Sequence, residues 1–75
     1  MQSMKYILSA LKQGVEDNRY DLVVKLVDKM QATLLEQKIF SAGQITAVKA
    51  GAHSGADPNQ KAAAIKFIDQ ALAKL

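Results

Sequence analysis

Apolar residues recur along the chain in four stretches with the period of an α-helix, and polar or glycine-containing segments separate them. In the first, Met4, Ile7, Leu8, Leu11 and Val15 fall at i, i+3, i+4 and i+7 positions and predict a helix over residues 3–14. Gly14 either ends that helix or sits in its last turn if Val15 still packs. Glu16, Asp17 and Asn18 follow as a polar turn, and Asn18 is of a type that caps the next helix. Leu22, Val23, Leu26, Val27, Met30 and Leu34 then share one face of a helix predicted over 19–38. Tyr20, Val24 and Leu35 widen that face beyond half the circumference, the pattern of a long central helix with neighbours on two sides.

The next start is set by local chemistry. Ser41 and Gln44 have the spacing of a capping box, with Phe40 and Ile45 placed as a hydrophobic staple around it. This predicts a short third helix over 42–52 that buries Ile45, Val48 and Ala52. Gly43 and Gly51 each weaken it by about 1 kcal/mol relative to Ala. After the loop His53–Ala56, Asp57 caps a fourth helix over 58–74, with Pro58 at its first position and Gln60 three residues after the cap. Ala64, Ile65, Ile68, Ala71, Leu72 and Leu75 form its apolar face. The expected fold is therefore all-α: one domain over residues 1–75, a compact four-helix bundle or two stacked helical hairpins, with the second helix longest and central.

Composition narrows what such a bundle can do. The 75 residues include no Cys and one His, so disulfides, thiolate metal sites and multi-His clusters within one chain are excluded, and no metal or cofactor is expected. No apolar run approaches the ~18 residues of a membrane span, and the start of the chain does not read as a signal peptide, so the expectation is a cytoplasmic protein without membrane contact. A core this small rarely supplies more than ~3–5 kcal/mol, which raises the value of burial against a second copy or a partner.

The formal charge of +3 lies entirely in residues 38–75, which carry five Lys against two Asp. Nine of the ten basic residues are Lys, so bidentate guanidinium recognition of phosphate is nearly absent. A weak attraction to acidic partners follows, not the dense basic stripe of a strong nucleic-acid binder.

No residue set has the form of a catalytic site. The Glu16/Asp17 pair lacks further oxygen ligands near it in sequence and reads as a solvated turn. His53 beside Ser54 lacks an orienting acid, and at the end of the third helix it suits the negative end of the helix dipole. Gly51 and Gly55 belong to no complete phosphate-loop string. Two surface readings remain, both on the fourth helix. Phe67 flanks the core face with the small Ala63 and Ala71 one turn away on either side, a pattern that fits pairing with a second copy or a protein partner. Alternatively, the third helix, loop and fourth helix form a helix-turn-helix-like unit in which Asn59, Gln60, Lys66 and Gln70 meet nucleic acid.

Residues Ala64-Ile65-Lys66-Phe67-Ile68-Asp69-Gln70-Ala71-Leu72 resemble the second helix of a tetratricopeptide repeat, with Ala64 and Ala71 at its small positions and Ile68 at its large ring position. The upstream signature positions fall on Val48, Gly51-Ala52 and Gly55 and do not match. The resemblance implies a helix shaped to pack in a helical hairpin. The functional expectation is a non-enzymatic protein–protein interaction or self-associating module, with a small basic DNA-binding protein as the alternative.

Overall fold

A computed structural model describes residues 3–75. These residues form four helices: α1 (Met4–Glu16), α2 (Tyr20–Glu36), α3 (Ala42–Ala52) and α4 (Pro58–Ala73). Consecutive helices pack side by side, α4 closes back onto α1, and α1 also meets α3 across the centre, whereas α2 and α4 stand at opposite corners without contact. This is the all-helical bundle expected from the periodicity.

The helix starts follow local side-chain chemistry. Ser3 caps α1 by accepting the Tyr6 N–H. Both Ser41–Gln44 and Asp57–Gln60 form complete reciprocal capping boxes, which satisfy backbone donors that a helix start leaves unpaired. Phe40 and Ile45 are both buried beside the Ser41 cap, as a staple requires. The start of α2 differs from the sequence expectation. Its N-cap is Arg19, with no side-chain cap, and Asn18 instead ends α1. Asn18 adopts φ 56°, while its N–H donates to the Val15 carbonyl and the Arg19 N–H to the Gly14 carbonyl. This is a Schellman turn. The same motif ends α2 two residues before the expected 38: Lys38 adopts φ 55° and donates to the Leu35 carbonyl, and the Ile39 N–H donates to the Leu34 carbonyl.

The core joins Ile7, Leu8, Leu11 and Val15 of α1 to Val23, Val27 and Leu34 of α2, with Ile45, Val48 and Ala52 of α3 and Ala64, Ile68 and Ala71 of α4. α2 buries a narrower stripe than its sequence predicts. Leu26 is only partly buried, and Leu22 and Leu35 are each 39% exposed, because only α1 and α3 pack against α2 and they cover one narrow face of it. Two glycines set interhelical distances. Gly14 lies in the last turn of α1, where a Cβ would come within 2.7 Å of Val23 Cγ2. At Gly51 a Cβ would stand 2.5 Å from the Ala64 Cβ and 2.9 Å from the Gln60 carbonyl oxygen, so α3 and α4 approach backbone to backbone there.

Candidate interaction surface

The approach of Gly51 to Ala64 fixes how α4 is rotated about its axis. Ala64, Ile68 and Ala71 point into the core, with Ala71 only 2% exposed. Ala63 and Phe67 are partly buried beside them, and Phe67 packs against the core cluster. The stripe Ala63–Phe67–Ala71, expected as a partner surface, is therefore not an outward one: Ala71 belongs to the core and Phe67 seals its edge. The opposite side of α4 faces solvent and carries Asn59, Ala62, Lys66, Asp69, Gln70 and Ala73, all exposed.

On that side a shallow, open depression runs over Ala62, Ile65, Lys66, Asp69, Gln70 and Ala73. Its floor is apolar because the short Ala62 and Ala73 side chains leave the partly buried Ile65 accessible between longer polar neighbours. Charge on this face is balanced locally. Lys12 of α1 donates to Asp69 Oδ1 at 2.8 Å, and Asp69 remains 49% exposed at its side chain. The hydrogen bond to Asp69, together with its negative charge, holds the Lys12 ammonium above the ordinary lysine range. A raised lysine pKa contributes stability below its unfolded value and loses it as pH rises through the folded one, so this pair acts throughout neutral pH and fades only in alkali.

Of the residues expected to meet nucleic acid, Asn59, Lys66 and Gln70 share this outward face. Gln60 does not act with them. Its Oε1 accepts the Asp57 N–H at 3.0 Å, closing the α4 capping box.

A second cluster, which sequence spacing could not reveal, clasps one end of the bundle. The Asn18 side chain donates to the His53 carbonyl at 3.1 Å and accepts from Lys61 Nζ at 2.9 Å. The Tyr20 and His53 rings meet edge to face with centroids 5.2 Å apart. His53 Nδ1 accepts the Gly55 N–H at 3.0 Å, which ties the ring to its own loop. These partners lie 35 and 43 residues from Asn18, beyond any local pattern. The cluster joins the α1–α2 turn to the α3–α4 loop and the first turns of α4. Glu16 and Asp17 are exposed, and Asp17 accepts from Gln13 Nε2 at 2.9 Å. Among the described residues, no three His, Asp or Glu side chains gather as a metal site, and no helix is long and apolar enough to cross a membrane.

No family model matches the chain, and neither the curated proteins nor the solved structures provide a match.

Proposed function

We propose that the chain is a non-enzymatic helical module that works by self-association, with the outer face of α4 as its binding surface. The observation that carries this reading is the exposed Ala62–Ile65–Ala73 depression on a well-formed helix, with Lys66, Asp69 and Gln70 beside it. Small side chains let a second helix approach closely, and long polar neighbours keep the uncovered face in solution. A domain of this size gains proportionately more from such added burial than a large one does. Ala62, Ile65, Lys66, Asp69, Gln70 and Ala73 line the depression without a hydroxyl, thiol or imidazole among them, which supports reading it as a binding surface.

The second reading draws on Asn59, Lys66 and Gln70, which have base-reading side chains and share one exposed face. Electrostatics ranks it lower. Lys66 is offset by Asp69 on the same face, and the acidic Asp57 stands at the helix start, so few counterions would be released on a duplex.

Dilution of the labelled protein followed by backbone amide NMR separates the two. Self-association predicts concentration-dependent shifts centred on Ala62, Lys66, Asp69 and Ala73, and no response to duplex DNA at physiological salt. Dilution-invariant spectra combined with a salt-sensitive DNA response on Asn59, Lys66 and Gln70 would replace the first reading by the second.

A further inference from the structure

The exposed positions Ala62, Lys66, Asp69 and Ala73 are spaced four, three and four residues apart. That is the alternation of a and d positions in a coiled-coil seam, and all four are exposed on the outward side of α4, where Lys12 of α1 reaches only Asp69 at the edge. With Lys66 and Ala73 at a positions, Ala62 and Asp69 occupy d positions. Parallel helices pair a with a and d with d, which would set Lys66 against its own copy and Asp69 against its own copy. Antiparallel helices layer a against d. About a two-fold axis midway between residues 67 and 68, Ala62 then meets Ala73 of the other copy, and Lys66 meets Asp69 of the other copy, each pair occurring twice. The pattern is self-complementary in both size and charge in that register alone.

Resting on the reading of α4 as a self-association surface, we infer that its occupant is the α4 of a second, identical chain, docked antiparallel with Ala62 opposite Ala73 and Lys66 opposite Asp69. The Ala pairs at the two ends allow close backbone approach. Two Lys–Asp pairs at the centre select direction, because the parallel arrangement sets like charges face to face. Asp69 can serve both Lys12 of its own chain and Lys66 of the other, since its carboxylate is half exposed while bound to Lys12. Ile65 and Gln70 flank the seam and extend the contact on either side. One helix face of this length makes a small interface, so the dimer belongs to the weak, concentration-dependent class.

The chain has no Cys, so single cysteines report the register directly. In the antiparallel register, positions 62 and 73 of opposing chains are level, whereas positions 62 and 62 lie about 16 Å apart along the axis. An equimolar mixture of Ala62→Cys and Ala73→Cys chains, oxidised at high concentration, is expected to give mainly the mixed disulfide. Charge swaps test the central layer: Lys66→Glu and Asp69→Lys should each weaken self-association about tenfold, and mixing the two variants should restore it. Mainly homodisulfides of Ala62→Cys would overturn the antiparallel register while leaving self-association intact, and no recovery on mixing the charge variants would overturn the Lys66–Asp69 layer. A monomeric wild-type chain at every concentration would overturn self-association itself.

Discussion

Two residues hold backbone positions that their identities do not favour, and each gives a sharp expectation. Lys38 ends α2 at φ 55°, a left-handed conformation that costs an L-residue roughly 1–2 kcal/mol and that glycine adopts freely. Its side chain is exposed, so little packing is lost on removal. Lys38→Gly should therefore stabilise the fold by about 0.5–1 kcal/mol, after allowing for the added flexibility of the unfolded chain. An unchanged or lowered urea midpoint would show that the α2 terminus is not this turn. Gly51 is the opposite case. From sequence alone it is a weak helix former, and Ala there would gain about 1 kcal/mol. In the fold, the added methyl meets the Ala64 Cβ and the Gln60 carbonyl, neither of which can rotate away. Overpacking of about 1–3 kcal/mol outweighs the propensity gain, and Gly51→Ala should lower the midpoint. The sequence signals that a glycine is present, but whether it relieves a turn or admits a neighbour depends on a helix that begins seven residues later.

The elements divide by whether their determinants are local. The α3 start at Ala42 and the α4 start at Pro58 agree with the sequence expectation because each capping box closes within four residues. Ser41→Ala and Asp57→Ala should each cost about 1 kcal/mol, read as lower midpoints at unchanged denaturant slope. The α1–α2 turn was legible in place but not in the role of Asn18. Asn18 has the composition of a cap, but its side chain is taken by His53 and Lys61, which only the tertiary fold brings near it. The interior faces were legible in period and less so in width. Leu26 and Ile68 both sit mid-stripe in sequence, yet Ile68 is fully enclosed and Leu26 is partly exposed. Ile68→Ala should cost about 2–5 kcal/mol and Leu26→Ala about 1–2 kcal/mol, so equal losses would contradict the partial exposure of Leu26 at the edge of the α2 stripe. The same limit explains Phe67. A helical wheel orders residues around α4 but does not say which flank α3 will cover, and the contact at Gly51 decides it.

At the scale of the whole molecule, a thin core and an uncovered α4 face belong together. The bundle has no disulfide, and the two side-chain ion pairs among the described residues, Lys12–Asp69 and Lys49–Asp28, lie where solvent weakens them. Stability therefore rests, among the described residues, on about fifteen buried apolar residues and on the side-chain caps that start α1, α3 and α4. Association through α4 would add burial without rearranging that core, since Ala62, Lys66, Asp69 and Ala73 are already exposed and already helical. The most direct measurement is sedimentation equilibrium of the full chain over a wide concentration range at physiological salt. Self-association predicts a mass that rises from one chain toward two as concentration increases, and an Ala62→Lys variant that keeps its helicity but stays at one. A wild-type mass that stays at one chain up to millimolar concentration would contradict it.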